Sequence, residues 1–370
     1  MVDTKLAQVV LESLRKHPPT TASSGSTTSS SSSKVEYKTA DLKFTSVARL
    51  WGGMGYIYRV DVQSSNNSPG AGCQVVTSRI VKYVRLPQSS SSLSRGDQRK
   101  ADSYHCEANF YQHVVPLLQG REGSNVDLPE TFHVERTDKS VLIVMSHIET
   151  ASDSYFLTVP RTQLVLTWLA RFHAATWGAQ WADKYGLQTQ GTYWYLDTRP
   201  DEHASMSNRG WEGRLKLAAR AINDRLQRDS SQCLVHGDTK EANLLFDKHD
   251  KDRVVLCDFQ YCGRGTPAQD LAYFFCSSIE DLDRRELDYL QHYLGQLEMF
   301  LPADTTAPTL TELQDSLDWA YCDFQRFMCG WGNWGNSLQE RVKAKLNTLD
   351  DGKSLGSEEA YSVAMQQRFG

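Results

Sequence analysis

The chain has 370 residues, of which 40% are hydrophobic and 23% are charged, an ordinary globular balance that allows one large or two moderate domains. Its formal net charge of -5 gives no basic footprint for nucleic acid, which argues against a nucleic-acid partner. The eight cysteines form no C-x-x-C pair and no zinc-like group with histidine, which favours buried thiols in a reducing compartment. No stretch reaches the roughly 18 apolar residues that span a bilayer, so we expect no membrane span and a cytoplasmic protein.

The N-terminal segment M-V-D-T-K-L-A-Q-V-V-L-E-S-L-R-K-H predicts a short amphipathic helix. The apolar residues on one face of this helix are Leu6, Val9, Val10 and Leu14. An organelle transit peptide is an alternative because a serine-rich stretch follows, but Asp3 and Glu12 count against it. Residues 20–33 are of low complexity and predict a flexible linker, so we expect residues 1–34 to form a helix and linker before the folded body.

The next part of the chain, residues 35–148, predicts a small and mostly antiparallel sheet with one helix. Stretches rich in β-branched and aromatic residues predict strands at 44–50, 56–62, 74–84, 131–136 and 140–146. A helix is predicted at about 102–119, and the polar stretches 64–72 and 88–97 are typical of loop insertions.

From residue 149 to residue 370 the apolar residues recur at helical spacing, which predicts a mainly helical domain. The exception is 242–259, where A-N-L-L-F and V-V-L-C-D-F surround the turn-rich D-K-H-D-K-D and predict a hairpin. The expected fold class is therefore α+β, with a small antiparallel-sheet part followed by a mainly helical part.

The strongest chemical signal is V-H-G-D-T-K-E-A-N, followed fifteen residues later by Asp258 at the end of an apolar run. The predicted hairpin folds its two ends together, so Asn243 and Asp258 can face one site. Amide and carboxylate oxygens suit Mg²⁺, and Asp238 can accept a proton from an attacking hydroxyl. Lys240 is placed to contact a γ-phosphate, and the spacing D-x-x-x-x-N with a later D-F matches the kinase signature set.

The N-terminal part supplies candidates for the nucleotide-binding half of such a signature. Lys82 lies on the third predicted strand, where kinases hold the α- and β-phosphates of ATP, and Glu107 in the next helix is its natural partner. Gly53 and Gly55 lie in a glycine-containing turn that could place backbone N–H groups near phosphate, and Met145 could line an adenine pocket. Each feature alone is weak, but their order along the chain favours a two-lobed protein-kinase-like fold.

At these residues the sequence resembles the aminoglycoside phosphotransferase and choline kinase superfamily, which are small-molecule kinases. L-V-H-G-D-T-K-E-A-N-L-L-F is similar to the H-G-D-x-x-x-x-N motif of that superfamily. C-D-F-Q followed by D-L-A-Y, together with E-A-N-F-Y and L-A-R-F-H-A, is most similar to the ecdysteroid kinase-like (CHK kinase-like) branch. The resemblance covers about residues 35–350. Two departures are Lys240, where the branch often has tryptophan, and Ala242, where choline kinases commonly have glycine.

The resemblance implies a role for each matching residue. Asp238 is the implied catalytic base, Asn243 and Asp258 are the implied magnesium ligands, and Lys82 with Glu107 is the implied phosphate clamp. The same resemblance implies that Asp270 braces the catalytic loop and that His236 orients it.

The expected function is an ATP- and Mg²⁺-dependent transfer of phosphate to a hydroxyl of a small molecule, with the oligomeric state open. One alternative is a catalytically silent kinase fold that serves as a binding or scaffold module. Another is a protein kinase, although Gln260 replaces the glycine of D-F-G and no A-P-E segment follows.

The acceptor stays open as well. Tryptophans of the helical part could form a cage for a quaternary ammonium such as choline or a flat wall for a sterol, and acidic residues at 197–203 could favour a cation.

Overall fold

The chain folds into two compact units in a computed structural model that describes residues 4–19, 37–50, 53–64, 74–87, 94–121, 126–151, 157–332 and 338–370. The first unit comprises Met1–Gln112 and Pro129–Ile148, and the second comprises His113–Leu128 and Glu149–Gly370. The predicted linker at 20–33 and almost all of the predicted loop at 64–72 lie outside the described residues.

The first unit is built on an antiparallel sheet of five described strands. These strands are β1 (Leu42–Arg49), β2 (Gly55–Ser64), β3 (Gln74–Arg85), β4 (Thr131–Thr137) and β5 (Ser140–Ser146). Their order across the sheet is β1-β2-β3-β5-β4. The helices of this unit are α1 (Thr4–Lys16) and α2 (Arg95–Asn109). The strand predictions are confirmed to within a few residues at each end.

The second helix begins earlier than the sequence predicts. Ser94 caps α2 by accepting a hydrogen bond from the backbone N–H of Asp97, so the helix starts at Arg95. The prediction of a loop through residue 97 and of a helix start near 102 is therefore wrong. The first turns of α2 carry the polar residues R-G-D-Q-R-K, which have no apolar periodicity to mark them as helical.

The N-terminal helix packs on the sheet of the first unit. Its apolar face is confirmed, because one buried cluster contains Leu6, Val9, Val10, Leu14, Val60, Val62, Val81, Phe132, Leu142 and Val144. Arg79 donates a hydrogen bond of 2.9 Å to the carbonyl of His17, just after the end of this helix. The same guanidinium stacks on Phe132 of the sheet, with 3.3 Å from Cζ to the ring centroid. Helix α1 therefore belongs to the same unit as the sheet, whereas the sequence predicted a separate segment for it.

The second unit is mainly helical, as expected, and the α+β fold class is confirmed. Its helices are α3 (Val115–Gly120), α4 (Val159–Ala175), α5 (Trp181–Tyr185), α6 (Pro200–Ser205), α7 (Gly210–Gln227), α8 (Pro267–Ser278), α9 (Leu282–Phe300), α10 (Leu310–Trp331), α11 (Leu338–Asp350) and α12 (Glu358–Phe369). A π-helical turn, Phe110–Val114, joins α2 to α3. Within the described parts of the chain, no helix has both the length and the apolarity to cross a membrane.

Two short strand pairs interrupt the helices of the second unit. The predicted hairpin is confirmed as β7 (Leu244–Phe246) paired with β8 (Val254–Leu256). The other pair, β6 (Cys233–Val235) with β9 (Gly263–Gly265), was not predicted, because three residues are too few to show a periodicity. The H-G-D motif lies between β6 and β7, so a paired strand precedes it and another follows it.

Candidate active site

The H-G-D motif lies on a tight loop that leaves β6, and its glycine has a steric reason. Gly237 has a φ of +80°, in the left-handed region that favours glycine. A Cβ at this position would lie 2.2 Å from the carbonyl oxygen of Tyr261 and 2.7 Å from the backbone nitrogen of Thr192. Only glycine therefore fits between these two backbone segments, and the close packing fixes the path of the chain into Asp238.

Asp270 braces this loop from the side of α8, as the resemblance implies. Its carboxylate accepts hydrogen bonds from the backbone N–H groups of His236 (2.6 Å) and Gly237 (2.9 Å), and from Nε2 of His173 (3.2 Å). Burial acts to raise the pKa of Asp270, but the hydrogen bond and charge of His173, the charge of His236 and the hydrogen bond from Gly237 together leave it below the ordinary value. A buried anion thus ties the backbone of the loop to helices α4 and α8.

His236 also orients the loop through both of its ring nitrogens. Its Nδ1 accepts a hydrogen bond from the backbone N–H of Asp238 at 3.2 Å, and its Nε2 donates to the carbonyl of Cys257 at 3.0 Å. The ring packs on Phe259 with 4.5 Å between centroids. These contacts connect the loop that carries Asp238 to the end of β8.

Asp238 is buried, with 5% of its surface exposed, and lies in a network of charges and hydrogen bonds. Lys240 Nζ is 3.1 and 2.9 Å from its two carboxylate oxygens, and Asn243 Nδ2 donates to its Oδ2 at 3.1 Å. Burial raises the pKa of Asp238, Lys240 lowers it, and the negative charge of Asp258 raises it again, with a net increase over the ordinary value. A carboxylate whose pKa stays raised despite a nearby cation is equipped to take up a proton.

The β7–β8 pairing continues one residue further and brings the backbone of Asn243 against Cys257, the residue before Asp258. The backbone N–H of Cys257 donates to the carbonyl of Asn243 at 3.1 Å. The amide nitrogen of Asn243 is used by Asp238, and among the described residues its side-chain oxygen accepts no hydrogen bond. Asp258 lies two residues beyond β8, has a φ of +70°, and accepts a hydrogen bond of 2.5 Å from Gln260.

These two residues fit the requirements of a magnesium ion. Mg²⁺ is usually held by one or two protein oxygens in addition to waters and phosphates, and an amide oxygen with a carboxylate meets that need. The described residues contain no group of three or more His, Cys, Asp or Glu side chains suited to a metal. Asn243 and Asp258 do not count as such a group, because together they supply one amide and one carboxylate.

The first unit contains the predicted lysine–glutamate pair. Lys82 on β3 and Glu107 on α2 form an ion pair with 2.7 Å from Nζ to Oε2, and 6% and 1% of their side chains are exposed. Lys82 Nζ also lies 5.6 Å from the ring centroid of Tyr104. Removing one partner of a buried ion pair leaves an unpaired buried charge and strongly destabilises the protein. Lys82 and Glu107 therefore each need the other to stay charged in the interior.

The remaining candidates of the first unit have structural contacts of their own. Gly53 has a φ of +71° and donates its N–H to the carbonyl of Leu50 at 3.0 Å. A Cβ on Gly55 would lie 2.0 Å from the carbonyl oxygen of Tyr83 on the neighbouring strand. Met145 is buried on β5 and pairs with Ile80.

Two tyrosines beside Asp238 were not predicted from the sequence. Tyr273 on α8 and Tyr193 have ring centroids 5.3 Å apart. For both residues burial raises the pKa most, and the nearby negative charge of Asp238 raises it further. The D-L-A-Y motif could have identified Tyr273, but Tyr193 lies 45 positions before Asp238 in a stretch without a motif.

Small-molecule kinases are the class of protein that this combination of fold and loop indicates. The chain belongs to the phosphotransferase enzyme family (APH), which matches residues 78–305, more than half of its length. The matched residues include Lys82, Glu107 and the whole H-G-D loop, whereas Gly53 and Gly55 precede them.

Several solved structures are similar to the chain at low identity. A microcompartment-associated aminopropanol kinase has 14% identity and a TM-score of 0.48, with 90% of this chain and 96% of that chain covered. A candidate aminoglycoside phosphotransferase from Ralstonia eutropha JMP134 has 13% identity and a TM-score of 0.49, with 98% and 97% covered. An ethanolamine kinase from Plasmodium vivax has 14% identity and a TM-score of 0.44, with 89% and 82% covered. No curated protein matches the sequence significantly. At these identities and TM-scores, the substrates of those proteins indicate nothing about the substrate of this chain.

Proposed function

We propose that the protein transfers the γ-phosphate of ATP, with Mg²⁺, to a hydroxyl group of a small molecule. The observation that carries this proposal is the position of Asp238, a buried carboxylate on a braced loop in contact with Lys240 and Asn243 and near Asp258. Family membership supports a phosphotransferase, and the finer proposal adds the nucleotide, the metal and the roles of individual residues.

Asp238 is the proposed base in this reaction. The acceptor oxygen attacks the γ-phosphorus, the bond between that phosphorus and the ADP oxygen breaks, and the hydroxyl proton passes to Asp238. The raised pKa of Asp238 favours holding this proton. The hydrogen bond from Asn243 fixes the orientation of the carboxylate.

Asn243 and Asp258 are the proposed magnesium ligands through their side-chain oxygens. When bound, the ion would neutralise negative charge on the phosphates. Lys240 contacts both oxygens of Asp238 and has 37% of its side chain exposed, so it has the freedom to turn toward a γ-phosphate oxygen.

The first unit is the proposed nucleotide-binding lobe, within residues 35–148. Lys82, oriented by Glu107, is proposed to contact the α- and β-phosphates. The Gly53–Gly55 turn is proposed to approach the phosphates, and Met145 to contact the adenine. Residues 149–370 form the proposed catalytic and acceptor-binding lobe.

Within the superfamily, we place the chain in the ecdysteroid kinase-like branch on the strength of its motifs. C-D-F-Q and the later D-L-A-Y are the sequence features that support this placement. The contacts of that second motif support a structural role for it, because Asp270 braces the catalytic loop and Tyr273 lies beside Asp238. The acceptor is a small molecule, and the cytoplasm is the proposed location.

The test is transfer of γ-labelled phosphate from ATP, with Mg²⁺, into a fractionated small-molecule extract. We expect label in one fraction with the wild type and a loss of about 10²–10⁴-fold with Asp238→Asn, since general base catalysis contributes that much. Nucleotide binding should persist in this variant. Asp252→Asn is the matched control, because Asp252 is exposed in the β7–β8 turn and should leave transfer unchanged.

Three outcomes would contradict the proposal. Equal labelling with wild type and Asp238→Asn would show that Asp238 is not the base. Label on protein rather than on a metabolite would indicate a protein kinase. ATP binding without label in any fraction would favour a silent kinase fold.

A further inference from the structure

An aromatic cluster in the second unit surrounds the guanidinium group of Arg199. The cluster consists of Tyr193, Phe327 and Trp331, and we call it the Arg199 cage. The distances from Arg199 Cζ to the three ring centroids are 5.5, 5.1 and 5.5 Å. The rings of Phe327 and Trp331 are stacked, and Tyr193 meets Phe327 edge-on at 5.4 Å. Each distance from Arg199 is within the range of a cation–π interaction.

The cage begins at the catalytic loop. The backbone N–H of Tyr193 donates to the carbonyl of Gly237, the residue before Asp238, at 3.2 Å. Burial raises the pKa of Tyr193 most, and a hydrogen bond from Tyr273 lowers it. The negative charge of Asp238 raises it further, which places Tyr193 near that carboxylate. From Tyr193 the cluster extends through buried Phe327 to Trp331, which is 47% exposed. The row of rings therefore starts at the loop that carries Asp238 and ends at the surface.

Arg199 is held firmly within the cage. It is 5% exposed, its Nε donates to the carbonyl of Tyr193 at 2.6 Å, and its Nη1 donates to Glu202 at 3.1 Å. The helix that follows, α6, is pressed against α10, since a Cβ on Gly330 would lie 1.9 Å from the carbonyl oxygen of Glu202. This close approach holds α6, which begins directly after Arg199, against α10.

Two of the three acidic residues at 197–203 are already paired with arginines. Glu202 is paired with Arg199, and Asp197 is paired with Arg220 at 2.6 Å. These two negative charges, which the sequence suggested for a cation, are therefore already balanced by arginines of the same unit.

We propose that Arg199 is a specificity-determining residue that excludes quaternary ammonium acceptors and selects an uncharged alcohol. A cage of three rings is the arrangement that binds a quaternary ammonium, but here a side chain of the protein occupies it. A second cation could not contact the ring faces that Arg199 occupies, and the positive charge of Arg199 would repel it. An uncharged acceptor can lie against the exposed face of Trp331 without that repulsion. This inference rests on the proposed function, because it concerns the acceptor of the reaction.

The cage combines residues from inside and outside the part shared with the family. Tyr193 and Arg199 lie within the matched residues 78–305, whereas Phe327 and Trp331 follow them on α10. Two of the three rings thus lie beyond the family match.

The test measures binding of tetramethylammonium to the full chain by calorimetry, at constant ionic strength. We expect no saturable binding to wild type, and saturable binding to Arg199→Ala with a Kd at least about tenfold below the lower limit set for wild type. In this variant the cage is open and Glu202 has lost its arginine partner. Arg199→Lys keeps a cation in the cage and should show no gain. Arg220→Ala is the matched control, because Arg220 is an arginine outside the cage with 42% of its side chain exposed.

The cage is identified as the binding site if the double variant Arg199→Ala/Trp331→Ala loses the gain. A folded Arg199→Ala that gains nothing would overturn the proposal. If Arg199→Ala does not fold, the wild type decides: saturable binding that Trp331→Ala abolishes would overturn the proposal, and absence of binding would support it. This measurement requires no catalysis, so a failure of the proposed function would not affect it. Phosphate transfer to choline by the wild type would support the function and overturn this inference.

Discussion

At the scale of single residues, the loop chemistry depends on how buried carboxylates are paired. Asp238 and Asp270 are both buried, which by itself raises the pKa of each, yet the pKa of Asp238 is raised and that of Asp270 is lowered. The difference follows from their partners. Asp270 accepts hydrogen bonds from two backbone N–H groups and from His173, whereas Asp238 is close to the negative charge of Asp258. One carboxylate is therefore suited to hold structure and the other to exchange a proton.

The pH dependence of transfer should report the Lys240–Asp238 contact. Lys240 lowers the pKa of Asp238, so Lys240→Met should raise it and move the acidic limb of the kcat–pH profile to higher pH. The measurement is kcat as a function of pH for both proteins. Lys248→Met is the control, since Lys248 is an exposed lysine paired with Glu149. An acidic limb that stays in place or moves to lower pH would contradict the assignment of Asp238 as base.

The Asp270 brace should be visible in stability. Asp270→Asn leaves its backbone and histidine donors without a carboxylate, and we expect a loss of about 2–5 kcal/mol in the free energy of unfolding at pH 7. Because the folded pKa of Asp270 is lower than its ordinary 3.8, its contribution is complete above that value and is lost as the pH falls through the folded pKa.

Urea unfolding at several pH values measures this difference between wild type and Asp270→Asn. The difference should narrow as the pH falls below about 4. Asp252→Asn, on an exposed turn, should change stability by less than about 0.5 kcal/mol. A difference that is small at pH 7, or that is constant with pH, would show that Asp270 does not brace the loop as an anion.

At the scale of elements, close packing against α10 fixes the position of α6, the helix that begins directly after Arg199. Gly330 lies in α10 where that helix meets the backbone of α6, and Arg199 immediately precedes α6. Gly295 offers a comparison, because it also lies within a helix, α9, but a Cβ added to it would meet no atom within 4 Å. The two glycines thus separate the effect of helix propensity from the effect of packing.

Alanine at these two glycines should change stability in opposite directions. Gly330→Ala should destabilise the protein by roughly 1–3 kcal/mol, because its methyl group would overlap the carbonyl of Glu202. Gly295→Ala should stabilise it by about 0.5–1 kcal/mol, since alanine loses less entropy in a helix. Thermal unfolding of both variants measures this. A neutral Gly330→Ala would show that α6 and α10 can move apart, and Arg199 would then be less firmly held.

At the scale of the whole molecule, nucleotide binding should couple to stability through the metal. A ligand that binds only the folded protein stabilises it by about 2.7 kcal/mol at 100 times its Kd. We expect a non-hydrolysable ATP analogue to raise the Tm more with Mg²⁺ than with a chelator. Asp258→Ala should lose the Mg²⁺-dependent part and keep the rest, because Asp258 is a proposed metal ligand.

The measurement is a thermal melt of wild type, Asp258→Ala and the exposed control Asp252→Asn. Each protein is compared with and without nucleotide, in Mg²⁺ and in chelator. Equal shifts in Mg²⁺ and chelator for the wild type would count against a metal-dependent nucleotide site. Retention of the Mg²⁺ effect in Asp258→Ala would count against Asp258 as a ligand.

Much of the fold could be predicted because its signals are local. Alternating β-branched residues located the strands of the first unit, and the apolar face of α1 matched its buried residues. The start of α2 was missed because its first turns are polar and depend on the cap at Ser94. The β6–β9 pair was missed because each strand has three residues, and the two strands are brought together only by packing around the loop.

By itself the sequence determined the chemistry of the loop, because Asp238, Lys240 and Asn243 are neighbours in the chain and a short hairpin returns Asp258 to them. Tertiary structure alone decided what surrounds that chemistry. Phe327 and Trp331 are four residues apart on α10, where helical spacing makes them neighbours. Tyr193 and Arg199 come from a distant part of the chain, and no spacing rule relates them to α10. The sequence showed aromatic and charged residues in the second unit but not that an arginine fills the space among the rings. Local spacing fixes turns and periodicities, whereas the occupant of a cage depends on how distant segments pack.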